Sequence, residues 1–202
     1  MSQVIEFWYE FASTYSYPAA MRIEDLARKQ EITVEWKPFL LGPILREQGF
    51  STSPFNEQPV KGAYMWRDME RTCARLNLEF KRPDPFPQNG LHAARIATAI
   101  ARNDEKAAFS RAVYLSEFAE GRSIADPDLL AELLARVTDD AVEILEKAAS
   151  QQNKDLLKKN TSTASNCGFF GAPICRTPDG EIFWGNDRLE EAMDWASRCR
   201  ES

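Results

Sequence analysis

Five consecutive hydroxyl-bearing residues, Ser13-Thr14-Tyr15-Ser16-Tyr17, sit where an aromatic and β-branched run gives way to helical spacing. A helix N-terminus there would present backbone N–H groups without intrahelical partners and a partial positive charge. An anion beside it is stabilised, and a neighbouring hydroxyl donates one more hydrogen bond. The same serines also suit a plainer role, and by itself the run fits helix N-capping better than anion binding. Other chemistries are thinly supplied. Cys73, Cys167, Cys175 and Cys199 form no C-x-x-C pair, and with one histidine they lack the clustered ligands of a zinc site. That histidine, His92, is the only base open to a Ser-His or Cys-His dyad, and its Leu-His-Ala-Ala setting reads as a solvated or packed helix position.

The elements that must position these hydroxyls follow from periodicity. Residues 3–11 (QVIEFWYEF) read as a strand, residues 17–30 carry apolar side chains at 19, 20, 23, 26 and 27 as a helix does, and residues 32–41 supply a second strand. A right-handed β-α-β unit results. From Gly42 through Pro59 the chain reads as an irregular loop, and strand signals then vanish for over a hundred residues. Helices are expected over 61–76 and 91–101, from Asp104 to Gly121, after Asp126-Pro127, and from about Asp140 and Lys154. Residues 173–184 read as a hairpin turning at Pro178-Asp179-Gly180, followed by a last helix with Leu189, Ala192, Met193 and Ala196 inward. Trp8, Trp36, Trp66 and Trp184 are read as core, with Trp66 also able to face a cleft.

The chain has 202 residues, 44% of them apolar, which is enough for a core without disulfides. With 25 Lys+Arg against 31 Asp+Glu and no basic run, it lacks the footprint of a nucleic-acid binder. No apolar run approaches the roughly 18 residues of a membrane span, so no membrane partner is expected. Residues 1–17 hold no basic residue and carry Glu6 and Glu10, unlike a signal or transit peptide, so a cytoplasmic chain is expected.

The order β-α-β, helical block, β-β-α describes an α/β chain with a thioredoxin-like fold and a large all-helical insertion. The expected division is a discontinuous thioredoxin-like domain of residues 1–44 and 166–202 around an inserted helical domain of 45–165. In that fold the functional position is the junction of the first strand and first helix, here Ser13 to Ser16, and Pro173 falls where a cis-proline faces it. The stretches FWYEFASTYSY, FLLGPI, PFN with VKGAYMWRD, FGAPI and FWGNDRLEE, in this order, resemble the 2-hydroxychromene-2-carboxylate isomerases. These are bacterial relatives of the kappa-class glutathione transferases in the DsbA-like group, and the likeness spans essentially the whole chain.

The resemblance implies a glutathione cofactor and an isomerase interconverting 2-hydroxychromene-2-carboxylate and trans-o-hydroxybenzylidenepyruvate in naphthalene-type aromatic catabolism. It implies that the catalytic Ser13 hydrogen-bonds the glutathione sulfur and favours its thiolate. It further implies that the backbone of Ala172, beside Pro173, pairs with the cysteinyl part. Asn186 and Asp187 would hold the γ-glutamyl end, Lys61 a glutathione carboxylate, and Asn56 a further contact. Tyr15, Phe39, Leu41, Pro43 and Trp66 are expected to line an apolar cleft for a small aromatic carboxylate, with the choice between Arg67 and Arg82 for its carboxylate left open. By the same analogy the chain pairs as a homodimer. Two departures stand out: Thr14 where many relatives have proline, and Glu10 where aspartate is usual. The rivals are a conjugating kappa-like glutathione transferase and a non-catalytic DsbA-like module that binds a peptide along the Pro173 strand edge.

Overall fold

The computed structural model describes residues 3–199. Strand β1 (Gln3–Tyr9) runs through the middle of the sheet. Helix α1 (Ser16–Lys29) returns the chain to β2 (Ile32–Pro38), which pairs in parallel with β1, Ile5 opposite Val34 and Phe7 opposite Trp36. The chain comes back to the sheet only at β3 (Ile174–Arg176), antiparallel to β1, and β4 (Ile182–Trp184), antiparallel to β3. The order β2-β1-β3-β4 makes a mixed four-stranded sheet, the thioredoxin-like arrangement expected.

Strand β1 is buried along the face of Ile5, Phe7 and Tyr9, and on the other face only at Trp8, beyond an exposed Val4 and a half-buried Glu6, so its alternation fades toward Tyr9. Ile5, Phe7 and Tyr9 face one layer, where Phe7 and Tyr9 meet Trp36 edge-on at ring-centre distances of 4.9 and 5.2 Å. Trp8 points to the opposite layer, against Phe39 and Phe169. Trp8 and Trp36 are thus core, as their sequence context suggests.

Between β2 and β3 lies the helical insertion. Its helices are α2 (Leu41–Glu47), α3 (Pro54–Glu57), α4 (Pro59–Arg75), α5 (Leu91–Ala99), α6 (Asn103–Leu115), α7 (Pro127–Ala135), α8 (Ala141–Ala149) and α9 (Gln151–Asn166). Helix α6 runs on into a π-helical turn, Ser116–Glu120, which ends at Gly121 in the left-handed region (φ 73°). After β4 a 3₁₀ turn, Asn186–Arg188, leads into α10 (Leu189–Arg198) with Leu189, Ala192, Met193 and Ala196 inward.

Three differences from the sequence reading have local causes. Strand β1 stops at Tyr9, two residues early, because Ser13 N–H donates to the Glu10 carbonyl and turns the chain. Helix α2 forms where Gly42 and Pro43 suggested a loop. Proline in a first turn forfeits only an N–H that has no intrahelical partner. Helix α9 starts at Gln151 because the Ser150 side chain caps it through the Asn153 N–H. Among the described residues no helix is long and apolar enough to cross a membrane, and no group of His, Cys, Asp or Glu is placed to hold a metal ion.

Candidate active site

The turn between β1 and α1 is held from three sides. Tyr114, on α6, donates its hydroxyl to the Glu10 carbonyl at 2.8 Å. Thr14 is buried and donates to the Met65 sulfur on α4 at 3.2 Å. Tyr15 donates to Asp68, also on α4, at 3.1 Å, and burial with the Asp68 charge pushes its phenol pKa up. Thr14 therefore ties the turn to the insertion by its side chain.

Neither serine caps α1 by its side chain. Tyr15 occupies the N-cap position without a side-chain bond, and Ser16 is already inside the helix and buried. Ser13 is turned instead toward the strand side, where its Oγ donates to the Ala172 carbonyl at 3.0 Å. The Ala172-Pro173 peptide bond is cis, as expected from its place in the sequence. The hydroxyl at the mouth of the first helix and the backbone preceding β3 thus meet directly.

Ser13 and Ala172 share the wall of a cavity of about 630 Å³, a volume typical of small-molecule sites. The turn between β1 and α1 contributes Glu10, Ala12, Ser13, Thr14 and Tyr15 to it. One side is α2 with the loop after it, contributing Leu41, Pro43, Arg46 and Phe50, and the other is Phe86 to Leu91. Phe170, Gly171 and Trp184 close the strand end, where Phe170 and Trp184 pack at 5.1 Å. The cations on the described wall are Arg46 and Lys61.

The candidate residues divide accordingly. Ser13, Lys61 and Ala172 are on the wall, and Lys61 also sits 5.7 Å from the Phe55 ring centre. Pro173 lies buried just behind Ala172, its carbonyl accepting from the Gly185 N–H. Asn186 is 4% exposed and accepts from Arg22, off the wall. Asp187 is exposed and near enough for its charge to act on Tyr15. Asn56 is exposed, donating to the Phe86 carbonyl at 2.9 Å, so it orders the loop that carries Phe86.

Of the expected lining residues, Tyr15, Leu41 and Pro43 are on the wall, whereas Phe39 and Trp66 are not. Phe39 is wholly buried between Trp8 and Phe169. Trp66 packs on Phe86 and carries Arg82 over its ring at 4.6 Å. Arg67 pairs with Glu70, so neither arginine named for the substrate carboxylate is on the wall. Trp184, read as core, is 45% exposed and belongs to the cavity mouth.

A DsbA-like thioredoxin domain matches residues 4–194. The chain belongs to the DsbA-like thioredoxin family. Among its DsbA-like relatives, a 2-hydroxychromene-2-carboxylate isomerase of Sphingobium xenophagum is 30% identical over 192 residues, covering 94% of this chain and 96% of that one. Glutathione S-transferase kappa 1 of Homo sapiens is 28% identical over 208 residues, covering 94% and 89%. In fold, this DsbA-like chain superposes on a solved 2-hydroxychromene-2-carboxylate isomerase with a TM-score of 0.84 at 23% identity, over 98% and 97% of the two chains.

Sequence reasoning missed Arg46, because the helix that carries it was read as loop. Glu10 has no role at the site in the sequence reading. The signal for Glu10 is its spacing, three residues before Ser13 and just past an aromatic strand.

Proposed function

We propose that this enzyme is a glutathione-dependent isomerase that interconverts 2-hydroxychromene-2-carboxylate and trans-o-hydroxybenzylidenepyruvate in naphthalene-type aromatic catabolism. The observation that carries the reading is the 3.0 Å bond from Ser13 to the Ala172 carbonyl on the wall of an apolar cavity. The names of the two relatives, an isomerase and a glutathione transferase, agree with it.

The residues present fit glutathione. A tripeptide with two carboxylates needs cations, and Arg46 and Lys61 are on the wall. It also needs a strand-like backbone partner, which Ala172 offers. Bound glutathione would supply a thiolate nucleophile for the conjugated carbon of the ring-opened substrate and would be regenerated unchanged. Ser13 moves its donor from the Ala172 carbonyl to the sulfur. The vacated carbonyl accepts the cysteinyl N–H, so one internal hydrogen bond is exchanged for two to the cofactor.

The magnitudes suffice. A free thiol of pKa about 8.5 needs about 2.7 kcal/mol of differential stabilisation to ionise two pH units lower. A hydrogen bond to a charged group supplies about 1.5–3 kcal/mol, and a helix N-terminus about 0.3–1 kcal/mol more. Lys61 takes a carboxylate of glutathione, and Arg46 replaces Arg67 and Arg82 as the cation for the substrate carboxylate.

The test is the ultraviolet absorbance of thiolate in the glutathione complex against pH. The expected midpoint lies about two units below that of free glutathione, and Ser13→Ala moves it back by about one unit or more. An unshifted midpoint in the wild type refutes the thiolate site. Stoichiometric loss of glutathione into a product would favour the transferase instead.

A further inference from the structure

Two carboxyl groups that act on one another, Glu10 and Glu117, have no counter-charge. Glu10 is on the cavity wall, three residues from Ser13, and its carboxyl lies against Gly90 at the start of α5, where a Cβ would come within 3.2 Å of Oε1. It accepts from the Ala12 N–H. Behind it the π-helical turn carries Glu117, 0% exposed, with neither carboxyl oxygen hydrogen-bonded. The groups facing Glu10 are thus the Ala12 N–H from its own turn, Tyr114 from α6 and Glu117. No cation acts on it.

A carboxyl held away from water without a cation resists ionisation: Glu117 has no donor at all, and the half-buried Glu10 has only the Ala12 N–H. Burial lifts the pKa of Glu10 to about 7, and burial with the Glu10 charge lifts that of Glu117 far above the usual carboxylate range. Of the pair, the first to ionise is the one on the cavity, at a pH where it can both give and take a proton.

We propose that Glu10 is a catalytic acid–base residue that lends a proton to the substrate's keto oxygen and takes it back. This rests on the isomerase reading above. The hemiketal ring first opens, its C–O bond breaking as the hydroxyl proton passes to the phenol oxygen; then, as the C–S bond forms, the C=C pair shifts to make the enol double bond, the C=O pair moves to the keto oxygen, and Glu10 protonates that oxygen and becomes carboxylate. After rotation about the resulting single bond, Glu10 removes the same proton, the C=O and C=C bonds re-form, and the C–S bond breaks. No electron or proton is lost or gained overall. Glu117, off the cavity, takes no part in the transfer.

The test compares wild type, Glu10→Gln and Glu10→Asp in three ways: infrared titration of the carboxyl band without glutathione, calorimetric glutathione binding, and kcat against pH. In the wild type a carboxyl band should disappear with a midpoint near pH 7, and kcat should show an alkaline fall at the midpoint Glu10 has in the loaded complex. In Glu10→Gln that band should be missing and kcat about a hundredfold lower or less, without the alkaline fall, while glutathione binds within about twofold of wild type. Glu10→Asp should restore at least about a tenth of the activity and move the alkaline fall; an unmoved fall overturns the proposal even if Glu10→Gln fails to fold. A Glu10→Gln enzyme as active as wild type, with the same profile, overturns it and leaves the isomerase reading standing. A wild type that binds no glutathione overturns both.

Discussion

At the scale of single residues, the hydroxyl of Ser13 is spent on a backbone carbonyl rather than on capping its helix. Sequence placed it at a strand–helix junction but left capping and anion binding open, because both use the same residue type. Only the approach of Ala172, 159 residues away in the chain, separates them. Thr14 is similar: its hydroxyl bonds to Met65, a contact that spacing cannot reveal. Thr14→Val should leave the fold intact but destabilise it by about 0.5–1.5 kcal/mol, measured by urea denaturation. Arg46 and Lys61 make separable predictions under the proposed roles. Arg46→Ala should raise KM for the aromatic carboxylate about tenfold or more with little change in glutathione affinity, and Lys61→Ala should do the reverse, since a charge-assisted bond is worth about 1.5–3 kcal/mol. Initial rates with each substrate varied in turn read this split.

Elements decide where those residues can meet. Strands β1, β2, β3 and β4 and the last helix were legible, since aromatic and β-branched runs bounded by Gly, Pro and Asp carry strong local signals. Helices α2 and α3 were not, because Gly42, Pro43, Ser53 and Pro54 are also loop formers and only α2 buries a side chain, Ile44. The cavity depends on this poorly legible stretch, which carries Arg46, Phe50 and Phe55. Helices α3 and α4 meet at Gly62, where an added Cβ would collide with the Phe55 carbonyl. Gly62→Ala should therefore push α3 from α4, cost about 1–3 kcal/mol as overpacking does, and weaken glutathione binding more than Gly42→Ala, whose Cβ would have ordinary contacts at 3.7 Å. Thermal melts and calorimetric titration of the two variants check this.

For the whole molecule, the buried carboxyls set the pH dependence of stability. Glu10 and Glu117 both have folded pKa values above the unfolded value of 4.5, so between 4.5 and about 7 the folded chain holds more protons than the unfolded one. Their contribution is most favourable below 4.5 and declines as pH rises, by about 1.4 kcal/mol per pH unit for each fully protonated group. Glu117→Gln, which keeps the shape and removes the ionisable group, should therefore raise the melting temperature more at pH 8 than at pH 5. Equal changes at both would place Glu117 in a solvated or paired setting. The central claim is that the assembled turn, strand and cavity run a glutathione-catalysed isomerisation. Its most direct measurement is the absorbance change of 2-hydroxychromene-2-carboxylate mixed with dialysed enzyme, with and without added glutathione, beside Ser13→Ala. Turnover that requires glutathione, returns it unconsumed and falls at least about tenfold in the variant is the predicted result. Turnover indifferent to glutathione, or none under any condition, would contradict the account.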